Sequence, residues 1–252
     1  MKDPIANMLL VVSFFTRIPL SKHAYERISH VSGLANAVLF FPFAGLIVAT
    51  LPIVVWTLSN FLFPAPLAAG LTLLATGFIT GLLHEDGLAD CADGLGGTPD
   101  RKKALEIMRD SRLGTYGAVA LIFAVALKWF ALSEFTISEG IVGLLIVHIA
   151  SRSAITIGLY ETRYARPEGL GELVEGEIPV SHFIGALCIG LLAGGIFGGL
   201  AGIFSVVAAY GLSWLWRLYF VRRLGGYTGD TLGAIQQLAE ISIFIVLAGS
   251  FL

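Results

Sequence analysis

Charge is what this sequence has least of. Asp, Glu, Lys and Arg make up 13% of its 252 residues, against about a quarter in an ordinary soluble domain. With 56% hydrophobic residues and a mean hydropathy of +0.83, a water-surrounded domain is excluded and an integral membrane protein is indicated. Cysteine is almost missing. Cys91 and Cys188 have no metal-ligand spacing, which excludes a disulfide framework and a zinc site and leaves both as expected packing residues. The N-terminus carries a short apolar stretch without a small-residue cleavage site, so it is expected to be retained. The net charge of −2 says little by itself, because placement matters more than the sum. No nucleic-acid partner is expected, and no internal repeat is evident.

Apolar runs of about 20 residues, enough to cross a bilayer, occur near residues 33–61, 66–84, 114–134, 139–160, 181–199, 200–221 and 232–251. The stretch 181–221 is too long for one crossing and predicts a tight Gly-rich hairpin near Gly194 to Gly202. The fold class is therefore an all-α polytopic membrane protein, a single domain over residues 1–252 with about seven transmembrane helices. Ile5 to Phe15 is too short to span and is expected to lie in the interface or pack against the bundle.

Lys and Arg fall on one side of that topology. Lys2, Arg17, Lys22 and Arg27 precede the first span, Arg101, Lys102, Lys103, Arg109 and Arg112 follow the second, Arg163 and Arg166 follow the fourth, and Arg217, Arg222 and Arg223 close the sixth. The opposite connections, near 62–65, 135–138 and 194–202, carry none. The basic side is expected to be cytoplasmic, at an inner membrane. Lys128, inside the third span beside Trp129, is expected to snorkel to the far interface.

The cytoplasmic side also collects the unusual residues. His84-Glu-Asp-Gly-Leu-Ala-Asp-Cys-Ala-Asp-Gly-Leu-Gly-Gly97 brings Glu85, Asp86, Asp90 and Asp93 together. On a helix Asp86, Asp90 and Asp93 sit at i, i+4 and i+7 and share a face. Carboxylates alone suit a hard cation such as Mg²⁺, often shared with a phosphate. The plainer alternative is a solvated helix end, but the recurring Asp-Gly and the closing Gly96-Gly97 suit a backbone passing close to phosphate. Polar groups gathered on one side favour an enzyme over a transporter, which needs them through the membrane.

Other candidates lie nearby in sequence. Arg101, Lys102 and Lys103 are expected to meet lipid headgroups or set topology, whereas Arg109, Asp110 and Arg112 stand at the mouth of the third span and are candidates for phosphate. Arg152 lies within the fourth span, where an Arg is costly and calls for a partner. Glu240, about 15 Å deeper than Asp230 on one helix, is that partner's obvious candidate, and substrate contact remains open for both. Gly225-Gly-Tyr-Thr-Gly-Asp-Thr-Leu-Gly233 reads as a Gly loop opening a helix, with Thr228 or Asp230 as cap and Gly226 near an anion. His84 is either a general base or an interfacial hydrogen-bonding residue.

Three stretches together carry a resemblance: His84 to Gly94, Leu105-Glu-Ile-Met-Arg-Asp-Ser-Arg-Leu-Gly114, and Gly225 to Ala234. They resemble the cobalamin 5'-phosphate synthase family, also called adenosylcobinamide-GDP ribazoletransferases. Phe14-Phe-Thr-Arg-Ile-Pro19 and Arg163-Tyr-Ala-Arg-Pro-Glu-Gly-Leu-Gly171 extend the likeness. The resemblance implies a Mg²⁺-dependent membrane enzyme that joins α-ribazole, or its 5'-phosphate, to adenosylcobinamide-GDP and releases GMP. It makes Asp86, Asp90 and Asp93 the metal ligands, with Asp93, Asp230 or His84 handling the proton. Arg109, Arg112, Arg152 and Arg166 become candidates for the phosphates. Glu85 departs from the family pattern, which is commonly apolar there, and is the weakest ligand candidate. Besides both substrates, the partners implied are membrane lipid and, compatibly, further copies of the chain. CDP-alcohol phosphotransferases share the clustered acids, but their Ala-Arg step and later Asp-x-x-x-Asp are missing here. A divalent-cation or substrate transporter is the rival of a different class.

Overall fold

The structure, a computed structural model, describes residues 3–31, 33–166 and 177–251. Among them the elements are helical, apart from one isolated bridge between Tyr164 and Tyr227. In chain order they are α1 (Pro4–Phe15), α2 (Lys22–Ile28), a 3-10 turn (Leu34–Phe40), α3 (Phe41–Leu62), α4 (Ala65–Thr80), α5 (Leu83–Gly97), α6 (Arg101–Ile107), α7 (Thr115–Ser133), α8 (Ile137–Leu159), α9 (Val180–Leu224) and α10 (Gly229–Phe251). Five helices are individually long and apolar enough to cross a membrane, and α4 with α5 makes a sixth candidate bent by 92°. The chain is a multi-pass helical membrane protein.

α9 has 45 residues, about 68 Å as one rod, more than twice a hydrocarbon core of about 30 Å. It therefore contains two crossings. Gly199, at φ 58° and ψ −140°, breaks it in a backbone region that suits Gly alone. A Cβ on Gly194 would fall 2.7 Å from the Gly202 carbonyl oxygen, and the Tyr210 hydroxyl donates to the Leu187 carbonyl at 3.0 Å. Pairing 194 with 202 and 187 with 210 is the register of a chain doubling back near Gly199. The expected hairpin is present.

Between α4 and α5, Gly81 and Leu82 take consecutive left-handed conformations at φ 67° and 59°. They swing α5 nearly perpendicular to α4. The segment after α1 braces the bend: the Arg17 N–H donates to the Ile79 carbonyl at 2.8 Å, and a Cβ on Gly81 would meet the Arg17 side chain. α1 itself packs against the bundle, burying Ala6, Val11, Val12 and Phe15. α8 is the central post, buried from Ile146 to Leu159.

Charge does enter the middle of the bundle. Lys128 Nζ donates to Gln237 Oε1 at 2.8 Å and to Glu240 Oε2 at 3.2 Å, and lies 3.7 Å from Glu85 Oε1. Arg152 Nη1 donates to Glu240 Oε1 at 3.1 Å, with His148 Nδ1 3.2 Å from the same oxygen. Lys128 therefore does not snorkel, as its neighbour Trp129 suggested. It sits on the face of α7 turned toward α5 and α10, where Lys128 and Arg152 balance Glu85 and Glu240, the condition under which charges are tolerated in a membrane. A second correction concerns Cys188. Cys91 is buried as expected, but Cys188 is exposed on the outer face of α9 beside Leu191 and Leu192.

Candidate active site at one end of the bundle

The recurring Asp-Gly of α5 has a packing cause. A Cβ on Gly87 would lie 2.9 Å from the Asp230 carbonyl oxygen and 3.0 Å from its Cα, and one on Gly233 would lie 3.3 Å from the His84 Cα and carbonyl oxygen. The first turns of α10 thus cross α5 through a Gly contact, the close approach that small residues permit between membrane helices. One helical repeat later, a Cβ on Gly94 would meet Met108 and the Ala104 carbonyl, 2.9 Å away. α6 lands there. Asp86, Asp90 and Asp93 consequently line a helix pinned at both ends, and Asp230 is carried over it.

Thr228 caps α10. The Thr231 N–H donates to Thr228 Oγ1 at 3.2 Å, while the Thr228 N–H donates to Thr231 Oγ1 at 2.9 Å. The Thr228 hydroxyl also donates to Asp230 Oδ2 at 3.2 Å, and Arg166 Nη2 donates to the same oxygen at 2.7 Å. Asp93 is occupied as well. Its two oxygens accept the Gly114 and Gly117 N–H groups at 2.8 and 2.9 Å, holding the free end of α7 and the loop before it. Asp86 is exposed and Asp90 half-buried, and neither side chain accepts a hydrogen bond among the described residues.

The uncompensated charge registers on Asp90. It is half-buried beside the carboxylates of Asp230 and Asp86, which repel it, and the Arg166 guanidinium, which attracts it. Among the described residues no three acids, His or Cys converge as a ready-made metal cage. Mg²⁺ does not need one, because it usually keeps waters and takes one or two carboxylates plus substrate phosphates. Asp86 and Asp90 are carboxylates of that kind, unpaired, all-oxygen and under mutual repulsion, so the residues present fit the ion.

The basic candidates separate into groups. Arg109 and Arg112 are exposed on the loop that Asp93 holds, and Arg112 Nε donates to both oxygens of Asp110 at 3.0 Å. Arg166 faces Asp230, and its buried Nε has no partner among the described residues. Arg152 and Glu240 lie in the network inside the bundle, each bonded to the other, the alternative left open by their sequence. Glu85 also turns away from the acids to accept from Gln237 Nε2 at 3.0 Å. Gly226 lies where the 163–165 segment crosses: a Cβ there would strike the Arg163 carbonyl.

A family model described as cobalamin-5-phosphate synthase matches residues 7–248. The chain belongs to the cobalamin-5-phosphate synthase family. Proteins named adenosylcobinamide-GDP ribazoletransferase are similar to it throughout: 37% identical in Shewanella amazonensis over 98% of this chain and 96% of that one, 38% in Bradyrhizobium diazoefficiens over 98% and 95%, and 35% in Ralstonia nicotianae over 98% and 96%. No solved structure matches. The family match spans α5, α10 as far as residue 248 and the Arg166 segment; Pro167 to Gly171 of the resemblance lie outside the described residues.

Several residues that shape this family member's site were not singled out by sequence. Arg101, expected at the lipid surface, instead donates from Nε to the Leu224 carbonyl at 2.6 Å and from Nη2 to Ala165 at 2.9 Å. It completes the C-terminus of α9, where a cation is favoured. Arg163 donates to the Gly225 carbonyl at 2.8 Å and Arg223 to Thr98 at 2.6 Å. These bonds tie the loops together at one end. His148, Gln236 and Gln237 complete the buried network, and a polar residue at helical spacing within an apolar run was the available signal.

Proposed function

We propose that the chain is a Mg²⁺-dependent adenosylcobinamide-GDP ribazoletransferase of the cytoplasmic membrane, with the α5–α10 crossing facing the cytoplasm. The observation that carries this is the pair of unpaired carboxylates, Asp86 and Asp90, held beside the Asp230–Arg166 pair in a chain of this family. In the reaction a ribose hydroxyl of α-ribazole, or of its 5'-phosphate, attacks the cobinamide-bearing phosphorus. The new bond joins that phosphorus to the ribose oxygen, the bond to the bridging oxygen breaks, and GMP leaves with the electron pair.

Asp86 and Asp90 would hold Mg²⁺, which supplies neutralisation of the diphosphate and of the departing GMP. The remaining roles belong to the chain. Asp230 accepts the hydroxyl proton, oriented by the Thr228 hydroxyl and Arg166. Arg166 has a buried Nε left for a phosphate oxygen. Asp93 fixes the loop that presents Arg109 and Arg112, whose exposed side chains suit the outer phosphate. Arg152 and Glu240 act through the bundle by holding α8 to α10. The test uses the purified full chain in detergent with Mg²⁺ and both substrates. GMP should form only when both substrates and the ion are present; no GMP under those conditions refutes the assignment.

A further inference from the structure

On the side of α5 away from its acids, an apolar groove of about 450 Å³ runs between α5 and the second crossing of α9. Its floor is Leu88, Cys91 and Ala92. At about 100° per residue these lie opposite Asp86, Asp90 and Asp93 around the helix. Leu212, Leu215, Trp216 and Tyr219 form the wall, at i, i+3, i+4 and i+7 on one face of α9. The same spacing continues to Arg222 and Arg223, so this face turns from apolar to cationic within one turn.

Arg223 closes the groove. Its guanidinium lies 5.7 Å from the Tyr219 ring centre and donates to the Tyr219 hydroxyl at 2.9 Å and to the Thr98 carbonyl, just past the end of α5, at 2.6 Å. Arg222 is exposed, and among the described residues no carboxylate pairs with either arginine. Arg101, Lys102 and Lys103 open α6 at the same place, where Arg101 holds the Leu224 carbonyl. The acid beside them, Asp100, caps α6.

These surroundings select an occupant. Leu215 and Tyr219 are exposed along the groove, and α9 is long and apolar enough to cross a membrane, so the groove opens on lipid rather than on water. Half-exposed Trp214 and Tyr219, with the Arg217 guanidinium 4.9 Å from the Trp214 ring centre, mark the membrane boundary, where aromatic residues gather. An acyl chain laid along the wall from Tyr219 to Leu212, about 10 Å, brings its headgroup phosphate to Arg222, and a guanidinium pairs with phosphate as a fork. A zwitterionic headgroup would add its own cation to a cluster that is already positive. We propose that this groove binds an anionic phospholipid, with the phosphate on Arg222 and the acyl chain between α5 and α9. The lipid then backs the helix whose other face carries the acids.

The binding test does not depend on the transferase reading, so either can fail alone. The full chain, reconstituted in vesicles, is photolysed with a trace of phosphatidylglycerol bearing a diazirine in its acyl chain. Labels should fall within residues 88–92 and 212–219, and unlabelled phosphatidylglycerol should displace the probe at a mole fraction about tenfold below that of phosphatidylcholine. Arg222→Gln, at an exposed position, should reduce this preference about fivefold, the effect of one basic residue beside an anionic headgroup; Arg222→Lys should keep most of it. Added phosphatidylglycerol should raise the unfolding midpoint of the wild type in detergent more than that of Arg222→Gln. Labels spread evenly over the exposed faces of α4 and α7, equal displacement by the two lipids, or a preference unchanged in Arg222→Gln would overturn the proposal.

Discussion

At the residue scale, the chemistry of α5 depends on what its glycines permit. Gly87→Ala would ordinarily stabilise a helix by about 1 kcal/mol. Here the added Cβ would lie 2.9 Å from the Asp230 backbone, so α10 must move off α5. The variant should melt at lower temperature in detergent and release little GMP; a higher midpoint with full activity would show that the crossing is looser than described. Asp93 offers a second test. Asp93→Ala removes the acceptor of the Gly114 and Gly117 N–H groups and should cost about 1–2 kcal/mol. Asp93→Asn keeps one acceptor and should retain most of the activity, measured as GMP released. Loss as complete as that of a metal ligand would return Asp93 to the ion.

At the element scale, the buried network joins α5, α7, α8 and α10. Lys128→Met would leave Glu85 and Glu240 with one cation between them, and breaking a buried pair in this way costs about 3–5 kcal/mol. Lys128→Met combined with Glu85→Gln restores the balance and should recover much of the lost unfolding midpoint. If the double variant is no better than the single one, the network is not held by charge balance. Run length alone made the crossing segments legible, and the glycines around 194–202 announced the fold-back of α9. The direction of Lys128 was not legible, because a hydropathy profile does not say which helix face meets which neighbour. Arg101 failed for a related reason: its partners are backbone carbonyls 64 and 123 residues away, and such acceptors leave no mark on composition. The acidic face was visible from spacing. That Asp93 and Asp230 already have partners, and that Asp86 and Asp90 have none among the described residues, required the fold.

At the scale of the whole molecule, the loops bearing Arg101, Arg163, Arg223 and the α5–α10 crossing bind one another at one end. Toward the other end α3 meets the start of α8, where the Trp56 indole donates to the Ile137 carbonyl at 3.0 Å. The positive-inside rule predicts that the first end faces the cytoplasm. In a variant with Cys91 and Cys188 replaced by Ala, Lys102→Cys should react with an impermeant thiol reagent only in inverted vesicles, and Glu134→Cys only in right-side-out ones. The reverse pattern would put the acidic face outside. The central claim is that this face, through Asp86 and Asp90, performs the metal-assisted transfer. It is tested most directly by counting GMP and cobalamin product formed by wild-type and Asp90→Asn protein with saturating Mg²⁺ and both substrates. Equal amounts of the two products from the wild type, and a loss on the order of a hundredfold or more in a well-folded Asp90→Asn protein, are the predicted result. An Asp90→Asn protein with wild-type turnover would contradict it.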